Sequence, residues 1–542
     1  MKNIFIAIFC LFLAGQTFIS CSNSFLDEKN FSNYAPVALN DSLGYQASLV
    51  GLYYEMNLWY NAGSGQGWPS VWNVGTDIAY ATPNQQGTEI PYYNYTLLTS
   101  TDGASSYAWN WAYTVINNAN VIITSVESNA TGLSQSGKNA VDAEARFFRA
   151  YAYNQLATLY GGVPLVTTSI AAPKTDFVRA PLDSVNALIE KDLIYAMIYL
   201  PNVKNVVSQG RVCQAAAQQL LATAYLRMKR PIDAEAQCLK IINSNNYSLI
   251  TSRYGVKSSS PGDLYSDMFY YGNQRRSQGN TEGIWVLQQE NPSTVNGGTS
   301  SNGQLRRVWG AAYYQITGLA ICDSLGGRSI GRLRLNNWML YKLYPTGDIR
   351  NSKYNIHRRF TYNDPAYPAL LGKPVPYSGA DTIFKICPYI TKWGIFDPND
   401  AFGTYMFKDI PIMRLAETYL LLAEAQYLQG KTTEAAASIN VLRTRANAPL
   451  VASSQVNIDL ILDERARELV GEENRRMTLM RVGQETGTNM LAKRALRLNN
   501  DTNCPHPIAG LDSTSTNKVL LPIPQTEIDL NKDATLIQNA GY

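Results

Sequence analysis

Trp68, Trp72, Tyr80, Tyr92, Tyr93 and Tyr95 fall in one loop-like stretch, interleaved with Asn73, Asp77, Asn84, Gln85 and Gln86. Flat apolar faces beside amides and a carboxylate suit sugar rings, whose axial hydrogens pack on the aromatic while the hydroxyls take directed hydrogen bonds. A second group, Arg306, Arg307, Trp309, Tyr313 and Tyr314, lies in a long irregular region further on. The plainer reading is that such rings pin long loops to a scaffold. Tyr151, Tyr153, Tyr225 and Tyr419, by contrast, recur at helical spacing and read as core.

Other chemistries lack their usual signatures. His357 and His506 are the only histidines, and the sequence has no His-Glu-x-x-His, no Gly-x-Ser-x-Gly and no Walker loop, which removes the common marks of zinc hydrolysis, serine catalysis and nucleotide binding. Gly63-Ser64-Gly65-Gln66-Gly67 lacks a strand before it and a helix after it, and reads as a flexible loop rather than a phosphate cradle. The segment ERARELVGEENRRMTLMRVG places Glu464, Glu468, Glu472 and Glu473 among Arg465, Arg467, Arg475, Arg476 and Arg481. Helical spacing makes it a salt-bridged structural face before a pair of glycosidase carboxylates. Asp397-Pro398-Asn399-Asp400 offers oxygen ligands but no complete calcium loop. No metal and no cofactor is expected.

The elements that must carry these residues are mainly helices. Asn40 or Asp41 caps a helix running to about Trp59; others are expected over Ala108–Glu127, from Lys138 to the breaker Tyr160-Gly161-Gly162-Val163-Pro164, over Pro181–Leu200 and Val212–Lys229, and from Pro231 to about Asn243. Leu220-Leu221-Ala222-Thr223-Ala224, a turn, then Asp233-Ala234-Glu235-Ala236 aligns with Leu421-Leu422-Ala423-Glu424-Ala425, a turn at Gly430, then Glu434-Ala435-Ala436-Ala437. Such Ala-rich hairpins are similar to tetratricopeptide units. The expectation is a mainly α scaffold of several tetratricopeptide-like hairpins, not a regular solenoid. A loop-rich insertion of about residues 247–409 interrupts it, with short strand-like runs such as Gly283–Gln288. Scaffolds that carry long loops place function on the loops.

Composition bounds the partners. Of 542 residues, 16% are charged and the formal net charge is +4, with Lys and Arg dispersed, so no nucleic-acid footprint appears; 35 Tyr and 9 Trp favour neutral polar ligands. At the start, Lys2, the apolar run Ile4–Ala14 and the small and polar residues to Ser20 form a signal peptide, residues 1–20. Ile19-Ser20-Cys21 reads as a loose lipobox that makes Cys21 the acylated first residue; the alternative is ordinary cleavage nearby and an incidental thiol. Several acyl chains would anchor the chain durably where one would not. Cys213, Cys238, Cys322, Cys387 and Cys504 are odd in number and irregularly spaced, which is no disulfide framework.

In order, Cys21 followed by Ser24-Phe25-Leu26-Asp27, then Glu144 to Ala150 leading to Tyr160-Gly161-Gly162-Val163-Pro164, Ile410 to Glu417 running into Ala423-Glu424-Ala425, Glu464-Arg465 to Arg481, Pro522-Ile523-Pro524 and Gln538 to Tyr542 resemble the SusD/RagB family of outer-membrane nutrient-binding lipoproteins. Thr478, Lys532 and Ala540 depart from its pattern at packing positions. The resemblance implies one SusD-like domain over 21–542, with N-terminal hairpins (about 38–246), the insertion (247–409), and C-terminal hairpins and tail (410–542). It implies a non-enzymatic protein, lipid-anchored and surface-exposed on the outer membrane, that passes oligosaccharide to a SusC-like TonB-dependent transporter. In the family, ligand contacts come from the loop after the first helix and from the insertion; this makes Trp68, Trp72, Asp77, Tyr92, Tyr93, Trp309 and Tyr313 the candidate ligand residues. Competing expectations are an oligopeptide cargo on the same architecture, an exported helical glycosidase, and a purely structural surface protein.

Overall fold

The computed structural model describes residues 39 and 41–542, apart from 62–66, 130–131, 171, 207, 209, 297, 299–302 and 395–399. The expected signal peptide, Cys21, most of the 63–67 glycine stretch and Asp397–Asn399 lie outside the described residues.

The helices start and stop where the local chemistry says they should. Helix α1 (Ser42–Leu58) is capped by Asp41, whose side chain accepts from the Gly44 amide at 2.8 Å. Helix α2 spans Gly103–Asn129 and α3 spans Gln135–Tyr160, the latter closed by Gly161 at φ +77°, a conformation that L side chains avoid. Then follow α4 (Leu182–Tyr199), α5 (Gln214–Arg227) and α6 (Pro231–Ile242), which begins on a proline whose missing N–H is not needed there. After the insertion come α7 (Leu415–Leu428), α8 (Thr432–Arg445), α9 (Ile458–Leu469), α10 (Arg475–Thr486) and α11 (Met490–Ala495). Among the described residues, no helix is long and apolar enough to cross a membrane.

From α2 to α8 each helix packs on the next, and α6 packs on α7 across the insertion. The two Ala-rich hairpins matched in the sequence, α5–α6 and α7–α8, are therefore neighbours in one continuous stack. This is more solenoid-like than the sequence suggested, because the insertion leaves and rejoins the stack at a single junction. Buried Ala216, Ala222, Ala224, Ala423 and Ala425 leave room for close helix approach. Buried Gln219 on α5 ties the units together, accepting from Thr418 Oγ1 at 2.7 Å and donating to Glu417 at 2.8 Å, both on α7.

The insertion is anchored at its ends and folded back onto the loop after α1. Strand β2 (Gly283–Leu287) pairs antiparallel with β6 (Ile410–Arg414), joining the insertion to the start of α7. Strand β1 (Ala79–Ala81) pairs antiparallel with β3 (Leu333–Leu335), so the insertion lies directly over the loop. A small pair, β4 (Ile356–His357) with β5 (Tyr389–Ile390), completes the strands.

The Glu/Arg-rich segment is a buried network rather than a helix face. Arg414 meets Glu468 at 2.6 Å, Arg445 meets Glu282 at 2.8 Å, and Arg350 meets Glu464 at 2.9 Å and Glu468 at 3.0 Å, with every side chain almost fully enclosed. Among the described residues, Arg467–Glu464 is the only ion pair inside it at i,i+3 or i,i+4 spacing, and Arg481 adds Glu485 just beyond it. Burial pushes the Glu468 carboxyl up, but Arg445, Arg414 and Arg350 outweigh it and hold the group well below the usual range.

Candidate functional site

The seven candidate ligand residues divide once the loop is covered. Asp77 has no exposed surface, and its carboxylate accepts from Arg475 at 2.7 and 2.8 Å and from Arg494 at 2.7 Å. Burial alone would raise its pKa; the two guanidiniums outweigh that and hold it well below the ordinary carboxylate range. The expectation of ligand contact at Asp77 is corrected by this geometry: the carboxylate neutralises two buried arginines. Tyr92 is likewise fully enclosed and donates to Asp102 at 2.7 Å; Tyr313 is enclosed and donates to the Gly327 carbonyl at 2.9 Å. Tyr93 stacks on His506 at 4.7 Å, and Trp68 lies under the Arg332 guanidinium at 3.9 Å. The rings of the loop are covered because β1 is sealed by β3 and because Asn94 bridges to Ala509 of the C-terminal tail, while Tyr313 is covered within the insertion by Phe360 and Tyr389.

Trp72 and Trp309 are brought together on the wall of a cleft of about 190 Å³. Its walls come from the loop after α1, α3, α5, the Leu305–Trp309 turn of helix, β6, α7, α9 and α10. Trp72 stacks on Trp59 with ring centroids 5.0 Å apart and planes 14° off parallel. Gly75 shapes the approach of this loop. It sits at φ +65°, and a Cβ there would stand 2.0 Å from the Tyr92 carbonyl oxygen.

The cleft is polar in an unusual way. Trp72 Nε1, Asn73 Oδ1, Gln155 Oε1, Arg465 Nη1 and Asn474 Nδ2 are all buried on its lining residues without a hydrogen-bond partner among the described residues. Leaving such groups dry costs about 1–3 kcal/mol each, so they are served by water or by a ligand's hydroxyls. The volume corresponds to about six waters at 30 Å³ apiece. Its charges cancel: Arg414 pairs with Glu472 at 2.6 Å, Arg465 with Glu473 at 2.8 Å and Glu417 at 2.9 Å, and Arg481 with Glu424 at 2.6 Å. Burial pushes Glu473 up, yet Arg465 and Arg475 pull it net below its usual value.

At one edge of this cleft three loops converge. Asn61 bridges to Gly303, Gln304 donates to the Tyr60 carbonyl at 3.0 Å, and Met406 donates to the Gly303 carbonyl at 3.1 Å. Buried Arg306 reaches the carbonyls of Asp400, Gly403 and Tyr405 and fixes the third loop. On that loop Phe402 is 70% and Tyr405 44% exposed, the only large rings there that face solvent among the described residues. The sequence reading passed over both. The run Phe402-Gly403-Thr404-Tyr405, two residues past the sequence Asp397-Pro398-Asn399-Asp400, was the available signal.

Two family models match the chain, one described as "Starch-binding associating with outer membrane" over residues 25–226 and one as "SusD family" over 386–542. SusD-like protein P25 of Formosa agariphila is 26% identical over 511 residues, spanning 89% of this chain and 90% of that one. The chain belongs to the SusD/RagB family. Solved SusD-like structures share the fold. A "Laminarin binding SusD-like protein" superposes with a TM-score of 0.68 at 22% identity, covering 93% of this chain and 100% of the other. Surface glycan-binding protein A from Bacteroides thetaiotaomicron, in complex with laminarihexaose, gives 0.69 at 18% identity over 93% and 100%. For this SusD/RagB member, the helical stack is the frame shared with those structures.

Proposed function

We propose that this protein is a non-catalytic, lipid-anchored surface protein that binds a neutral glycan at the loop edge and hands it to a SusC-like TonB-dependent transporter. The observation that carries the reading is the cleft beside that edge, lined by stacked indoles and by five buried polar atoms that lack partners among the described residues. Phe402 and Tyr405 provide exposed ring faces for pyranose stacking, and Trp72 and Trp309 line the cleft behind them. A charge-balanced lining favours a neutral ligand over an ionic one. The names of the relatives, starch-binding, laminarin-binding and glycan-binding, support the same ligand class; the description of the N-terminal family model supports an outer-membrane location, and the lipobox-like Ile19-Ser20-Cys21 supports an acyl anchor there.

A glycosidase needs one carboxylic acid that is protonated at working pH beside a second carboxylate. In the cleft Glu472 is clamped by Arg414 and Lys392, and Glu473 by Arg465 and Arg475, which holds the Glu473 carboxyl below its usual range and makes it a poor proton donor. Affinity electrophoresis against neutral polysaccharides tests the reading. Retention by at least one of them without release of reducing ends is expected; indifference to all of them together with saturable peptide binding would replace the glycan with an oligopeptide cargo.

A further inference from the structure

A second groove, sharing no lining residue with the cleft, opens on the outer face of α2 and has a volume of about 570 Å³. This falls in the range of pockets that enclose small organic ligands. Its walls are α2, the segment from Pro164 to Phe177, and the C-terminal tail around Glu527 and Leu536.

The walls are tied to one another. Tyr113 donates its hydroxyl to the Pro164 carbonyl at 2.8 Å, Asn120 donates to the Val166 carbonyl at 2.9 Å, and Asn117 accepts from the Ile170 amide at 3.1 Å. Across the other wall Asn531 accepts from the Phe177 amide at 2.7 Å and donates to its carbonyl at 2.8 Å. The groove is thus built before any ligand arrives, which lowers the ordering cost of binding.

We infer that this groove is a second saccharide site, for a neutral hydroxylated ligand of a few sugar rings. The half-buried rings of Tyr113 and Phe177 supply ring surface, and buried Trp109 backs Tyr113 with centroids 5.0 Å apart. Asn110, Asn118 and Glu527 line it, and their side chains make no hydrogen bond or ion pair with any described residue. The Glu527 carboxylate is partly desolvated without a cation, and burial raises its pKa. A carboxylate and amides with nothing internal to bond are matched by vicinal hydroxyls. An anionic ligand would face Glu527.

The test is calorimetric titration of the full protein with maltotriose, laminaritriose and xylotriose, separately for wild type, the Phe402→Ala/Tyr405→Ala variant, and that variant carrying Glu527→Ala and Asn118→Ala in addition. The groove predicts that the Phe402/Tyr405 variant still binds one trisaccharide per chain, and that adding the Glu527/Asn118 changes weakens this residual binding at least ten-fold with an unchanged melting temperature. Residual binding that ignores Glu527 and Asn118, no residual binding at all, or displacement by tetramethylammonium overturns it. Loss of all binding in the Phe402/Tyr405 variant would sink the groove and leave the loop edge standing; residual binding that depends on Glu527, with no effect of Phe402 or Tyr405, would do the reverse.

Discussion

Replacing Asp77 with alanine separates a structural carboxylate from a ligand-binding one. The side chain is fully enclosed and is shared by two guanidiniums, both also fully enclosed, at 2.7–2.8 Å. Arg475 keeps Glu473, and Arg494 keeps Asp459 and Asp463, so the variant leaves neither arginine wholly bare. Removing one member of a buried pair costs about 3–5 kcal/mol, and the remaining partners hold the expected loss within that range rather than double it. Urea unfolding followed by the fluorescence of the nine tryptophans measures it. The pH dependence has a definite sign. The folded pKa is depressed, so the stabilisation is complete above the unfolded value of about 3.9 and is lost as pH falls toward the folded value. The gap between wild type and variant therefore begins to close only below about pH 4. An Asp77→Ala protein that unfolds like wild type but no longer binds glycan would refute the reasoning.

Three further outcomes follow from the geometry. Gly75→Ala should lower stability by more than about 1 kcal/mol, read as a fall in melting temperature, since both its φ of +65° and the nearby Tyr92 carbonyl oppose a Cβ. His357, pushed down to about 4 by burial, binds fewer protons folded than unfolded, so stability should rise with pH between about 4 and 6.5, by at most about 3 kcal/mol; His357→Phe should flatten that slope in unfolding titrations. Cys21→Ser should leave the body folded, with an unchanged circular dichroism spectrum, and should move it from the membrane to the soluble fraction when no transporter is co-expressed.

The helical frame was legible because its signals are local. Asp41, Pro231 and Gly161 mark helix ends by their own backbone chemistry, and apolar spacing such as Ala112, Val115, Ile116 and Ala119 marks a buried face. The site was only partly legible, because burial of a loop depends on what covers it. Trp68, Tyr92 and Tyr93 sit in a stretch whose Gly, Asn and Gln content reads as exposed, yet β3 and the residues around Ala509 close over it from far along the chain. Asp77 meets arginines about 400 positions away, a pairing no window of sequence displays. Trp72 and Trp309 do line one cleft, while of its polar atoms Gln155 comes from a helix interior without distinctive pattern and Asn474 reads in sequence only as a helix cap.

The most direct measurement is the affinity of the purified protein for a neutral polysaccharide that retains it, compared with the Phe402→Ala/Tyr405→Ala variant. Both rings are exposed, so melting temperatures should agree closely. Each stacked ring contributes about 0.5–1.5 kcal/mol, so the pair should weaken binding by about 5- to 150-fold, with no sugar released in either protein. Equal affinity of the two proteins, or accumulation of reducing ends on incubation, would contradict the account.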